Sequence, residues 1–312
     1  MSAAKFFAGI DGGQSSTTAV VVDERGALRG RGTAGPAAHV DEPPGSRRFA
    51  DACEEALARA LERASLASRT RFEAVHVGLS GFDGAFDGAR PSVLARSLRV
   101  EHDAPVALAG AVATRPAVVV IAGTGSVAYG EDGAGVRLRT GGWGWPFGDD
   151  GSAYAVARDA LAHAMREEDR GARSPLGDAA LAFFDRRDLR AIATATVQGR
   201  IAHAQVAAFA QVVHDAARLG DADAGAIVDR AADAVAALAA TTVARLQCDG
   251  RVAVALAGGA FRSEPFFARV RERLVRLAPA AVAVRPRYEP AVGAALLAFA
   301  DAGLTPPEEI AE

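Results

Sequence analysis

Lysine occurs once in the 312 residues, at Lys5. A Walker A loop, a protein-kinase phosphate-binding lysine and a Schiff-base lysine each need an ammonium group inside a site. Lys5 leads into the first predicted strand, so those three chemistries are excluded together. Cysteine is nearly as scarce. Cys53 and Cys248 stand far apart with no CxxC spacing, which offers neither a disulfide framework nor a zinc or iron–sulfur motif, and a reducing, cytoplasmic compartment fits. No window approaches the ~20 uninterrupted apolar residues of a membrane span, and the apolar stretch near the N-terminus is too short for a secretion signal. Basic runs are lacking too, and the formal charge is −3, so neither nucleic acid nor a membrane surface is an expected partner. The six histidines include no pair at metal-ligand spacing.

What is present reads as a globular chain, half hydrophobic and 23% charged, long enough for two domains at ~150 residues each. Residues 5–10, 17–23 and 27–32 alternate with turns at 11–16 and 24–26, a β-meander in which the first turn is rich in glycine. The pattern returns at 117–122, 127–130 and 136–140, with a glycine turn at 123–126. A repeat so long predicts two similar domains rather than a solenoid. Between the meanders, 46–67 has helical periodicity through Phe49, Cys53, Ala56, Leu57, Ala60 and Leu61, and 72–79 reads as a buried strand. Short helices are predicted at 91–98, with proline in the first turn, and at 104–113. A helix from about 151 to 168, alanine-rich helices through 246, a strand at 252–257 and terminal helices follow, with 286–290 a candidate hinge. The expectation is an α/β fold of two domains, 1–114 and 115–291, facing a central cleft, with the last helix, about 292–312, packing back on the first domain.

The loop IDGGQSSTTAVV sets an aspartate at a strand end, then glycines and hydroxyl residues whose backbone N–H groups and side chains can surround phosphate oxygens. Its aspartate can hold Mg²⁺, through water. Alone, the loop reads equally as a Gly/Ser hairpin turn. The second loop, VVVIAGTGSVAYG, repeats the arrangement; its GxGxxA text also matches a dinucleotide fingerprint, but a strand is predicted after it where that motif needs a helix. Two equivalent glycine turns fit a nucleotide polyphosphate held between two lobes.

Taken as a set, IDGGQSSTTAVVVD, VGLSGFDG, DAPVALAGA, IAGTGSVAYG, GGWGWPFGDDGSAY and VALAGGAFRSEPF are specific, and they cover nearly the whole chain in order. The chain resembles the N-acetylglucosamine kinase-like branch of the BadF/BadG/BcrA/BcrD ATPase family, within the actin/hexokinase/Hsp70 superfamily. The resemblance implies two ribonuclease H-like domains of actin/hexokinase type, ATP and Mg²⁺ as cofactors, and a homodimer. It implies that Asp11, Gly12, Gly13, Gln14, Ser15, Ser16 and Thr17 form one phosphate loop, with Asp11 toward Mg²⁺, and that Gly123, Thr124, Gly125 and Ser126 form the other. Gly258, Gly259, Ala260 and Arg262 become the adenosine segment. Asp103, which opens DAPVALAGA, becomes the base that takes the proton of the sugar 6-hydroxyl. The plainer reading of Asp103 is an N-cap for the helix that follows.

The sugar contacts implied are His39, Ser80, Gly81, Asp103, Thr124, Gly142, Trp143 and Asp149. The plainer reading of this stretch is an N-cap at Asp150 and core tryptophans, and it fits Asp150 better than Asp149, so the sugar contact that the resemblance implies is kept at Asp149. GLSGF does not complete a G-x-S-x-G nucleophile elbow, so hydrolase chemistry is not expected at Ser80. One departure bears on substrate: Ala38 stands before His39 where the sugar kinases carry asparagine, which removes a hydrogen-bonding amide. The implied activity is ATP-dependent phosphorylation of an amino sugar or hexose, N-acetylglucosamine first, with glucosamine kinase or a broad hexokinase as the alternative. A related branch comprises ATPases that activate redox enzymes through a shared [4Fe–4S] cluster. Its ligand cysteine just after the second phosphate region has no counterpart here, since no cysteine lies between 53 and 248. A non-catalytic sugar-binding regulator is the third reading.

Overall fold

The computed structural model describes residues 4–37, 45–82, 84 and 88–311. The chain divides into two compact units, Met1–Thr114 with Arg285–Glu312, and Arg115–Val284. In the first unit, β1 (Phe6–Gly12), β2 (Thr17–Asp23) and β3 (Leu28–Ala34) form an antiparallel meander. β4 (Phe72–Leu79) and β5 (Ala95–His102) add in parallel on the other side of β1, giving the order β3-β2-β1-β4-β5. The runs FFAGI, TTAVVV and FEAVHVGL are almost continuously apolar because their strands are covered on both faces. Ala8, Ile10, Val21, Val75 and Val77 face α1 (Arg48–Arg63), whose buried stripe runs through Phe49, Cys53, Leu57 and Leu61. β3, at the sheet edge, instead alternates buried and exposed residues. α2 (Asp103–Ala111) follows β5 directly.

The second unit repeats the wiring. β6 (Ala117–Ala122), β7 (Ser126–Glu131) and β8 (Arg137–Gly141) form the meander, and β9 (Val252–Ala257) and β10 (Ala281–Val284) extend it in parallel, in the order β10-β9-β6-β7-β8. The long connection from β8 to β9 carries α3 (Ala153–Asp169), α4 (Pro175–Phe184), α5 (Leu189–Val197), α6 (His203–Ala208), α7 (Ala210–Arg218) and α8 (Ala222–Leu246). A 3₁₀ turn (Gly259–Arg262) and α9 (Glu264–Leu277) precede β10. Alanines dominate this core: Ala232, Ala236 and Ala239 of α8 bury fully with Val118, Val120 and Val254 of the sheet, and alanine loses no rotamer entropy when it is buried.

α10 (Pro290–Asp301) lies against β1 in the first unit. Phe299 stacks on Phe7 at 3.8 Å between ring centroids, and a Cβ on Gly9 would stand 2.1 Å from the Ala291 carbonyl oxygen, so only glycine allows this approach. Two expectations are corrected. The segment 91–98 is not a helix: 91–94 is irregular and Ala95–His102 is a strand, because LRVEH alternates Leu98 and Val100 toward the core with exposed Arg99 while pairing with β4. The four-residue strand β10 was not anticipated between the terminal helices; AVAV is too short to announce itself.

Candidate active site

In the first unit, β1 delivers Asp11 to the sheet's end, paired across to Thr18 of β2 and Gly78 of β4. The loop then folds on itself: Gly13 N–H donates to the Ser16 carbonyl at 3.0 Å, and Ser80 N–H to the Gly12 carbonyl at 2.9 Å, which sets Ser80 and Gly81 beside this loop. Among the described residues no acceptor meets the N–H groups of Gln14 and Ser15, which are exposed. Thr17 is fully buried and its hydroxyl donates to the Gly35 carbonyl at 2.8 Å, so its role is to brace the loop. Burial, then the negative charges of Asp103 and Glu289, push the Asp11 carboxyl up to about 7. Glu289 had no sequence signal beyond preceding Pro290; it opens α10 and forms an ion pair with Arg31.

Asp103 sits at the first position of α2, where a Cβ on Gly78 would come within 3.2 Å of its Cα. The N-cap is His102, not Asp103: its Nδ1 accepts from Ala104 N–H at 3.1 Å. That same Nδ1 lies 2.8 Å from Asp103 Oδ1, an ion pair when the imidazole is protonated. Among the described residues Asp103 Oδ1, which is buried, has no hydrogen-bond partner.

In the second unit the loop at 123–126 is tied down almost group by group. Gly123 N–H donates to the Gly125 carbonyl at 2.9 Å, Ala153 N–H to the Gly123 carbonyl at 2.8 Å, and Tyr154 N–H to the Thr124 carbonyl at 3.3 Å. Ser126 is spent inward: its N–H donates to Asp149 Oδ1 at 3.2 Å and its hydroxyl to the Asp150 carbonyl at 2.9 Å. The N–H groups of Thr124 and Gly125 meet no described acceptor and are the loop's free donors. Ser152, not Asp150, caps α3, accepting from Ala155 N–H at 3.2 Å. Nor are the tryptophans core: Trp143 is 73% and Trp145 48% exposed. Trp145 lies 5.6 Å from Tyr154 and 5.8 Å from His203, which stacks on Tyr154 at 4.0 Å. Arg139 braces the glycine turn by donating to the Gly142 carbonyl at 2.7 Å. Burial raises the Asp149 carboxyl above its ordinary range, against the Ser126 N–H and His203, which lower it.

The segment Gly259, Ala260 and Arg262 lines a cleft of about 530 Å³ in this unit, together with Ala210 and His214 of α7 and Phe266 of α9. Gly258 turns the chain into it with φ of 100°; a Cβ there would stand 2.4 Å from the Ala122 carbonyl oxygen. The α7 wall escaped sequence reading, since an alanine-rich amphipathic helix carries no ligand motif. Burial and Arg269 lower the His214 pKa, which leaves a neutral imidazole facing the cleft. His39 and Ala38 lie outside the described residues.

A model of the BadF/BadG/BcrA/BcrD ATPase family matches residues 8–298. The chain belongs to that family. Within it and around it, the chain is 32% identical over 155 residues to an N-acetylmuramic acid/N-acetylglucosamine kinase of Clostridium acetobutylicum, a stretch covering 47% of this chain and about half, 51%, of that relative's length. It is 26% identical over 313 positions to an N-acetyl-D-glucosamine kinase of Dictyostelium discoideum, covering 95% of this chain and 98% of the relative. A crystal structure from Chromobacterium violaceum, provisionally named an N-acetylglucosamine kinase, superposes with a TM-score of 0.76 at 27% identity, over 94% of this chain and 98% of the other. The actin/hexokinase-like α/β fold expected of the family is thus present in both units. No helix among the described residues is long and apolar enough to cross a membrane.

Proposed function

We propose that the protein transfers the γ-phosphoryl group of ATP to the 6-hydroxyl of an amino sugar or hexose, N-acetylglucosamine foremost. The observation that carries this reading is Asp103 Oδ1, a buried carboxylate oxygen without a hydrogen-bond partner among the described residues. Leaving such an atom unpaired costs ~1–3 kcal/mol, and a sugar hydroxyl supplies the missing hydrogen. In the reaction Asp103 accepts that proton as the hydroxyl oxygen bonds to phosphorus, the bond to the β-phosphate oxygen breaks and ADP leaves. The free N–H groups of Gln14 and Ser15 and of Thr124 and Gly125 stabilise phosphate oxygens. Adenosine occupies the cleft at Gly259, Ala260 and Arg262, and Ser80, Gly81, Gly142, Trp143 and Asp149, with His39, orient the sugar. Mg²⁺ fits Asp11, whose crowding by Asp103 and Glu289 a divalent cation would relieve; it would be held through water and would neutralise phosphate charge. A homodimer in the cytoplasm completes the proposal.

The names of the relatives at 32% and 26% identity support the sugar assignment. The redox-activating alternative loses ground on thiol chemistry: Cys53 is fully buried and burial pushes its thiol up to about 12, far from the thiolate a cluster needs. The test is ADP release across a panel of hexoses and amino sugars. Turnover that depends on sugar and falls ~10²-fold or more in Asp103→Asn, with folding intact because His102 keeps the cap, is expected. Sugar-independent hydrolysis, or an Asp103→Asn enzyme within a few-fold of wild type, overturns the reading.

A further inference from the structure

The 123–126 loop is hydrogen-bonded to a residue, Asp149, that sequence reasoning assigned to a different ligand. Asp149 Oδ1 accepts the Ser126 N–H, the last amide of the loop. Its other oxygen lies 2.7 Å from where a Cβ of Gly125 would stand, so the carboxylate rests against the loop backbone itself. To reach that place Asp149 adopts φ of 59°, a left-handed conformation that is unfavourable for a non-glycine residue and persists only where surrounding contacts hold it. Those contacts are present: the Asp149 carbonyl accepts from Ser152 N–H at 3.0 Å, and the neighbouring Asp150 carbonyl takes the Ser126 hydroxyl.

We infer that Asp149 is a positioning residue for nucleotide binding, its carboxylate anchoring the 123–126 loop so that the Thr124 and Gly125 N–H groups are presented to phosphate. The inference rests on the phosphate-loop assignment made above and extends it, because a contact to sugar alone leaves nucleotide affinity untouched. In this reading one carboxylate serves both ligands, anchoring the loop through Oδ1 and leaving Oδ2, which has no hydrogen bond to the loop, for sugar hydroxyls.

Two variants separate the roles. Asp149→Ala removes the acceptor; Asp149→Asn restores a neutral one, since a carboxamide oxygen can take the same N–H. Binding of a non-hydrolysable ATP analogue is measured by calorimetry without sugar, and amide exchange is followed across 123–127 in the nucleotide-free protein. Asp149→Ala should bind the analogue about tenfold more weakly and exchange the loop about tenfold faster, the effect of one lost hydrogen bond to a charged acceptor. Asp149→Asn should recover both to within about threefold while its sugar KM stays high, because the weaker neutral acceptor still holds the loop. Unchanged loop exchange in Asp149→Ala overturns the anchor, and unchanged nucleotide affinity overturns its role in binding. Failure of the wild type to bind nucleotide refutes the kinase reading instead, and the exchange measurement still decides the anchor.

Discussion

Asp11→Asn should stabilise the ligand-free protein at alkaline pH while it destroys the proposed Mg²⁺ function. The Asp11 carboxyl is pushed from an ordinary 3.8 to about 7, first by burial and then by Asp103 and Glu289. A raised carboxyl binds its proton more tightly folded than unfolded, so the cost of ionising it in place begins near pH 4 and is complete above about pH 7. Three pH units correspond to ~4 kcal/mol at pH 8, against ~1.6 kcal/mol at pH 5, where the folded group is still protonated. Asparagine has its own burial cost, but one that does not change with pH. The gap in Tm between Asp11→Asn and wild type should therefore widen by ~5 °C or more from pH 5 to pH 8, at ~2–4 °C per kcal/mol. Added Mg²⁺ should raise the wild-type Tm at pH 8 and leave that of the variant unmoved. Thermal melts at both pH values, with and without Mg²⁺, carry the test. A gap that is the same at pH 5 and pH 8 refutes the claim that Asp11 carries this electrostatic load.

Two steric predictions are simpler. Gly259 lines the cleft and has open space where its Cβ would go, so Gly259→Phe should weaken ATP binding by ~10-fold or more with Tm unchanged; retained affinity would remove adenosine from this cleft. Gly293 of α10 is the opposite case, since a Cβ there would lie 2.0 Å from the Val106 carbonyl oxygen and 2.4 Å from Gly110 N of α2. Gly293→Ala should cost ~3 kcal/mol or more by forcing two helices apart, and a Tm within ~2 °C of wild type would show that the helices yield.

The elements that could be read from sequence are those whose signal is local. β1, β2, β4, β6 and β9 are apolar runs bounded by turn residues, and the α1 stripe repeats at helical spacing. The duplicated wiring was legible because the two glycine turns interrupt two similar meanders. What escaped depends on partners distant in sequence. Ala95–His102 is a strand because β4 offers it an edge, and the proline at 91 gave a helical reading no contact supports. His76 is a buried histidine bonded to Asp301 Oδ2 at 2.6 Å and Glu101 Oε1 at 2.9 Å, on α10 and β5, as core histidines usually are. The Gln14, Ser15, Thr124 and Gly125 amides could be nominated from glycine content, but only the hydrogen bonds show that Thr17 and Ser126 spend their own groups on the fold.

The caps carry the sharper lesson. An aspartate before a helix is ordinarily its N-cap, and on that rule Asp103 and Asp150 would have been consumed by structure. In each case a nearby residue takes the cap: His102 in front of α2 and Ser152 in front of α3. A histidine cap is unusual, and it leaves Oδ1 of the carboxylate beside it without a hydrogen-bond partner among the described residues, a costly arrangement for a residue whose only task is to start a helix. Asp149 shows the converse, being engaged by Ser126 and held in a strained conformation, so its carboxylate belongs to the loop before any sugar arrives. In the proposed reaction Asp103 is thus the carboxylate left to act on a proton and Asp149 the one that orients, so the two aspartates that the family resemblance grouped as sugar contacts differ in what they can do.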